Sequence, residues 1–392
     1  MTVSARLTDR FRQLAERQGV HTLSYFHCDH FEPWRWQPDV MPINERNGQA
    51  VVDYAEAMTR GEHSKRLTLF LKSPYSATVP GRRKLHLVPG DEIGFRPISP
   101  AEAEIVGHAA HGLLSAGHAI ELHIHHERFT RNEHHSTSPD LPMNAPFRDF
   151  LDKRSTPEMD EARLRLHIDL TLDLYRAATG LPFDRWFFVH GMWALNGSDR
   201  DYCCVDREIE LLQSMGCLGD FTFPAGRSHC DPQATAPFLC RPVAKPKGYD
   251  LPEAEAVRAI GQPGRGRFLI WASAVTGKHC SIDTYGKAFE ALAGNVESWA
   301  DALVDGAVIA DGRLYLKTHA HSMRMGYYDN WDAPAWPHHH PAVMAVLDLL
   351  FDSAAQAGLS ADYPTVAEVY DRFVAPTPAS VEAAEAADFG EH

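Results

Sequence analysis

Apolar positions along the chain follow two periods, and their alternation sets out the expected elements. Residues 4–19 carry Leu7, Phe11, Leu14 and Ala15 on one helical stripe. His21-Thr22-Leu23-Ser24-Tyr25-Phe26-His27-Cys28 then has strand character and runs into Asp29-His30-Phe31-Glu32-Pro33, where the proline ends it. Helices are expected over 49–60 and 99–116, the second opened by Ser99-Pro100-Ala101-Glu102, a cap with proline at the first helical position. Between them Arg66-Leu67-Thr68-Leu69-Phe70-Leu71 reads as a strand, with 72–98 as an excursion rich in Pro, Gly and basic residues. After a stop at Gly117, a buried strand begins at Ala119.

Further on, Leu164, Ile168, Leu172 and Tyr175 mark a helix over 158–178, closed by Gly180 and Pro182. Strands follow at 185–191, 219–224, 268–272 and 313–322, with helices at 201–215, 285–303, 341–357 and 363–374. The proline-rich stretch 225–265 reads as an extended insertion, and 375–392 as a loose tail with too little apolar surface to pack. Alternating strands and helices point to an α/β fold with a largely parallel sheet or barrel. No repeat or linker divides it, so a single catalytic domain over 1–374 is expected.

Composition narrows the function classes. The chain has 392 residues, 44% hydrophobic and 23% charged, as in ordinary globular proteins. A net charge of −14 argues against nucleic acid as a general partner. The N-terminus lacks a signal-peptide core and no apolar run approaches a membrane span. Seven cysteines, with Cys203 and Cys204 adjacent, do not suit a secreted disulfide framework, and a cytoplasmic protein with buried free thiols is expected.

Histidine changes the picture, with 23 residues, many at strand ends. Glu121-Leu122-His123-Ile124-His125-His126-Glu127 places three histidines between two carboxylates. On a continuing strand His123 and His125 share a face; if the chain turns helical, His123 and Glu127 do. Four strands end in candidate chemistry: Asp29-His30-Phe31-Glu32, the His123 stretch, His190-Gly191, and His319-Ala320-His321. In parallel α/β folds that edge is where sites are built, and the residue types suit a divalent metal and hydrolysis. The clusters His134-His135 and His338-His339-His340 read as surface.

The order of these segments resembles the polysaccharide deacetylase family (carbohydrate esterase family 4, with the nodulation-type deacetylase domain). The resemblance rests on the early strand ending in Asp29, on Gly117-His118-Ala119-Ile120-Glu121-Leu122-His123, and on the late strand Leu316-Lys317-Thr318-His319, and covers about residues 20–325. It implies a distorted (β/α) barrel, a zinc-type divalent ion, and hydrolysis of the amide of an acetylated amino sugar in a polysaccharide or glycoconjugate. Carried over by position, Asp29 falls on the family's acidic pair, His123 on its first metal histidine and His319 on its late catalytic acid. The usual second acid is His30 here, with Glu32 beyond it. The usual second metal histidine is Glu127, with His125 two residues after His123. The expected ligands are therefore Asp29, His123 and His125, with Glu127 or His30 as alternatives. Asp29 is ligand or base. The family's arginine motif is absent, and His190 stands at that point, near substrate or as an acid partner. Trp193 and His321 are expected to line the substrate site. Two other readings remain: a phosphoesterase or glycosidase on a similar barrel, and a non-catalytic sugar-binding member.

Overall fold

The computed structural model describes residues 3–34, 43–59, 65–75, 77–78, 94–95, 97–124, 157–191, 195–197, 203, 205–222, 237–240, 256–257, 268–271, 295–320, 322–323 and 341–374. Helix α1 (Ala5–Gln18) starts where the Ser4 side chain accepts from the Leu7 amide and stops at Gly19, whose φ of 67° takes the left-handed region. Strand β1 (Thr22–Phe31) follows, buried along its whole length. Next come α2 (Glu45–Met58), β2 (Thr68–Lys72), and a small hairpin of β3 (Ala77–Thr78) and β4 (Gly94–Phe95). Helix α3 (Pro100–Ser115) carries the full reciprocal cap between Ser99 and Glu102. It leads into β5 (Ala119–Ile124), α4 (Pro157–Thr179) and β6 (Trp186–His190).

A single 3₁₀ turn, Leu195–Gly197, precedes α5 (Glu208–Ser214) and β7 (Cys217–Asp220). Two short strands, β8 (Phe238–Cys240) and β9 (Ala256–Val257), lie in the stretch 225–265 expected to be an extended insertion. The described chain ends with β10 (Phe268–Ile270), α6 (Val296–Asp305), β11 (Val308–Ala310), β12 (Arg313–Ala320), α7 (Pro341–Gln356), β13 (Ser360–Asp362) and α8 (Val366–Val374). Residues 375–392 lie outside the described residues. No described helix is long and apolar enough to cross a membrane.

The main sheet runs β11-β12-β1-β2-β5-β6-β7-β10-β8-β9, with β13 beside the start of β1. Pairing is parallel from β12 through β10 and antiparallel at both margins. From β1 to β10 the parallel strands follow chain order without reversal, and β12 returns beside β1. Right-handed crossovers then place every connecting helix on one face, and the sheet curls. The result is an α/β fold whose mixed sheet forms a half-barrel, consistent with the expected distorted barrel.

Burial follows the curl. Outside it, α2, α3, α4 and α5 pack on β2, β5, β6 and β7 through residues including Tyr54, Leu71, Leu113, Leu122, Ile168 and Trp186. Helices α1, α6 and α7 cover the outer side of β1 and β12. Inside lie Phe26, Cys28, Phe70, Phe187, Val189, Phe221, Trp271 and Tyr315, with α8 filling the space through Val369, Tyr370 and Phe373. Helix α8 sits toward the N-terminal strand ends: the Val366 amide donates to Thr68 Oγ1, at the start of β2.

Among the described residues no strand pairs β10 with β12, and Lys317 spans that side of the curl. Its buried ammonium donates to the carbonyls of Phe221 (2.6 Å), Thr222 (3.1 Å) and Trp271 (2.5 Å). Three acceptors use all three of its hydrogens. One side chain thus ties β12 to the ends of β7 and β10.

Candidate functional site

Side-chain alternation decides which strand-end residues meet. On β1, Phe26 and Cys28 face the inside of the curl, so His30 and Glu32 continue that face while His27, Asp29 and Phe31 face the helices. On β5 the outward Leu122 and Ile124 leave His123 inside. On β12 Tyr315 is inside, as Lys317 and His319 are by the same period. Register sets His319 beside Cys28 and Lys72 beside His123.

The inner group is built around His123. Its Nδ1 lies 2.9 Å from the Val189 carbonyl, and a carbonyl only accepts, so Nδ1 carries a hydrogen. Its Nε2 lies 3.3 Å from Glu32 Oε1, and its ring centroid is 4.9 Å from that of His30. All three side chains are buried. Burial holds the His123 imidazole below its ordinary value, outweighing Glu32, and the nearby Lys72 charge pushes the same way. In the neutral ring the Nε2 lone pair faces a carboxylate oxygen. A hydrogen or a metal ion can bridge that pair, and two imidazoles with a carboxylate are zinc-type donors.

Asp29 is turned away from this group. It accepts from the Ser322 amide (3.0 Å), the Ser322 hydroxyl and the Tyr54 hydroxyl (3.4 Å), and lies 3.3 Å from His27 Nε2. Consecutive strand residues point to opposite faces, so Asp29 and His30 cannot both enter the curl. Asp29, expected as a ligand or base, thus lies on the helix side of β1, where it binds Ser322, in the turn that follows His319. Behind it, Tyr25, Thr318 and His27 form a buried chain, with 2.7 Å from Tyr25 Oη to Thr318 Oγ1 and 2.9 Å from there to His27 Nδ1.

The structure also keeps His190 apart from His123. Strand β6 sends Phe187 and Val189 inward and Trp186, Phe188 and His190 outward. There His190 Nε2 lies 3.2 Å from Glu208 Oε1, and Nδ1 hydrogen-bonds the Gly191 carbonyl. Cys203 Sγ is 3.4 Å from Glu208 Oε2. Burial alone would depress the His190 value, but Glu208, with help from Asp220, raises it overall. Burial pushes the Cys203 thiol well up. Among the described residues His190, Cys203 and Glu208 are the set whose donor atoms all lie within 4.8 Å of one another, and this cluster could bind a metal ion.

Sequence reading noted Glu32 among the strand-end residues without giving it a role, and missed Lys72, Lys317, Cys203 and Glu208 as site residues. Glu32 had a signal, since it lies two residues after His30 and shares its face. Cys203 and Glu208 had none, because only the tertiary path from β6 to α5 brings them to His190. A serine–histidine pair also escaped notice: His167 Nε2 lies 2.8 Å from Ser73 Oγ, beside the His123 carbonyl that receives the Ser73 amide. It is not an activated nucleophile. Thr171 donates to the His167 carbonyl (2.7 Å), so the Ser73 hydroxyl donates to Thr171 (2.7 Å) and His167 donates to Ser73.

His125, Glu127, Trp193 and His321 lie outside the described residues, as do His134, His135 and His338 to His340. Trp34 is buried, donating from Nε1 to the Lys72 carbonyl at 2.8 Å. The described free cysteines Cys28, Cys203 and Cys217 are all buried. Neither a scan against family models nor a search of curated proteins finds a match for this chain.

Proposed function

We propose that the protein is a metal-dependent hydrolase that cleaves the amide of an acetylated amino sugar, in a polysaccharide or glycoconjugate, with zinc as its metal. The observation that carries this reading is the setting of His123. A backbone carbonyl fixes Nδ1, so Nε2 is presented to the Glu32 carboxylate and beside the His30 ring, at the C-terminal ends of parallel strands. His123 and His30 would hold the ion, which when bound supplies a Lewis acid that polarises the amide carbonyl and makes its water acidic.

The remaining roles fall to side chains on the same inner face. Glu32 replaces Asp29 as the carboxylate that takes the proton of the attacking water. Its Oε1 faces His123, and a carboxylate has a second oxygen to offer. His319, beside Cys28 and one register step from His30, gives a proton to the departing amine. Asp29 and Ser322 hold the turn after His319 and do not touch substrate. The C–N bond breaks, water supplies hydroxyl to the acyl carbon, and the proton taken by Glu32 is matched by the one His319 gives to nitrogen.

One observation favours a second reading. Lys72, buried and opposite His123 in the register, is a cation suited to an anionic group, as a phosphoesterase would need. Protein stripped of metal and reloaded with zinc should therefore be assayed for acetate and for phosphate release from acetylated amino sugars and phosphosugars. Zinc-dependent acetate release, lost in Glu32→Gln and His123→Ala, is expected. Phosphate release alone would replace the deacetylase reading with the phosphoesterase one. Neither product, from zinc-loaded protein across the panel, would sink both.

A further inference from the structure

We infer that His190, Cys203 and Glu208 form a second, closed site for a divalent zinc-type ion, separate from the His123 group and structural in purpose. The three donors are an imidazole nitrogen, a thiol sulfur and a carboxylate oxygen, each on a fully buried side chain. His190 Nε2 is 3.2 Å from Glu208 Oε1 and Cys203 Sγ is 3.4 Å from the other oxygen, Oε2, and one donor atom from each side chain lies within 4.8 Å of the other two. Zinc bond lengths of about 2.0–2.3 Å put tetrahedral donor pairs roughly 3.3–3.7 Å apart, so each Glu208 oxygen lies close to one such spacing from a different donor, His190 Nε2 for Oε1 and Cys203 Sγ for Oε2.

Each donor is also aimed by a second contact. The Gly191 carbonyl takes the Nδ1 hydrogen of His190, which directs Nε2 into the cluster. The Gly197 amide donates to Cys203 Sγ at 3.0 Å, and the Asn196 amide donates to Glu208 Oε2 at 2.7 Å. Asn196 itself is buried at a left-handed φ of 53°, held there as its side-chain oxygen accepts from the Ile209 amide at 3.0 Å. Two ligands from Cys203 and Glu208 and one from β6 would tie the start of α5 to the strand end. Val189, whose carbonyl orients His123, is the next residue back along that strand.

Ion binding here involves no redox change. The hydrogen that His190 Nε2 shares with Glu208 and the thiol hydrogen of Cys203 both leave as protons, and the nitrogen lone pair and the thiolate take their place on the ion. The soft sulfur donor and the fully buried setting suit zinc over magnesium or calcium. Glu208 meets the other two donors with both of its oxygens, so a two-oxygen carboxylate with the imidazole and the thiolate would supply four donors and close the site, whereas a catalytic one keeps a position open.

Cobalt(II) provides the test, since among the described residues this is the donor cluster that holds a thiol. Metal-free protein titrated with cobalt should show a thiolate-to-cobalt charge-transfer band in the near ultraviolet. That band should persist in Cys28→Ser and in His123→Asn and vanish in Cys203→Ser. A band that survives Cys203→Ser, or no band in the wild type, would overturn the site. Should Cys203→Ser fail to fold, zinc-edge X-ray absorption of His123→Asn tests for the same sulfur donor without touching the cluster. One sulfur near 2.3 Å per zinc is expected, and a shell of nitrogen and oxygen alone would refute it. The inner site fails on its own terms if His123→Asn keeps every equivalent of metal.

Discussion

His123 and His190 sit on neighbouring strands, with Ile124 paired to His190 and His123 to Val189, and the chain solves both in one way. Each ring gives Nδ1 to a backbone carbonyl, Val189 for one and Gly191 for the other, and turns Nε2 toward a carboxylate, Glu32 or Glu208. Their surroundings then separate them. Burial lowers the His123 value against the pull of Glu32, with a small push from Lys72; at His190 Glu208 and Asp220 outweigh burial and the value is raised. One residue of strand register puts the first inside the curl, beside His30, and the second outside, beside a thiol. The local histidine geometry is shared, so the neighbours and the face decide whether it serves chemistry or cohesion.

The largest expected difference between the two regions is in which variants cost folding and which cost turnover. Glu208→Ala removes the acceptor of His190 and of the Asn196 amide in a fully buried place, so a stability loss of roughly 3–5 kcal/mol is expected in urea denaturation. Glu32→Gln keeps the volume and should lose about 1 kcal/mol or less, while turnover falls by roughly 100-fold or more. Equal stability losses would erase the distinction.

Next in size is pH dependence, with opposite signs in metal-free protein. The folded His190 value is raised, so its contribution is fully present below the ordinary value of about 6.5 and is lost as pH rises through the raised value. The folded His123 value is lowered, so the folded state prefers the neutral ring, and stability falls as pH drops from about 6.5 toward the lowered value. Each slope is at most about 1.4 kcal/mol per pH unit. Denaturation curves of His190→Asn and His123→Asn, set against the parent across pH 5–9, should diverge in opposite directions. Parallel curves would show that the neighbours do not set the charge.

Smaller effects sharpen the inner site. Lys72→Met removes a positive charge that adds to the lowering of His123 by burial, so the acid limb of the turnover profile should move to higher pH. Asp29→Asn should cost roughly ten-fold in kcat with KM little changed and metal retained, because it acts through Ser322 on the turn after His319. Loss of metal in that variant would restore Asp29 as a ligand.

Much of the fold was legible because long periodic segments carry their own signal. The stripe Leu164, Ile168, Leu172 and Tyr175 is buried in α4 as the spacing implies, and the Ser99–Glu102 cap opens α3. The short strands β8, β9, β11 and β13 were not legible: two or three residues hold no period, and their pairing comes from the sheet they join. Helix α5 starts later than expected, at Glu208, since Cys203 and residues 205–207 are not helical. In the site, strand ends were readable but faces were not. Asp29 and His30 are one residue apart, and only the packing of Phe26 and Cys28 inside the curl shows which of them enters it. Partners such as Glu208 come from far along the chain and leave no local trace.

The most direct test of the claim that chemistry belongs inside the curl is a pair of readings on one preparation, zinc-reloaded His123→Asn. Zinc per chain and acetate release from acetylated amino sugars would be measured together against the parent. One equivalent of zinc lost, with acetate release down at least roughly 100-fold and the cobalt–thiolate band intact, is the predicted result. Full zinc content with parental acetate release would contradict it.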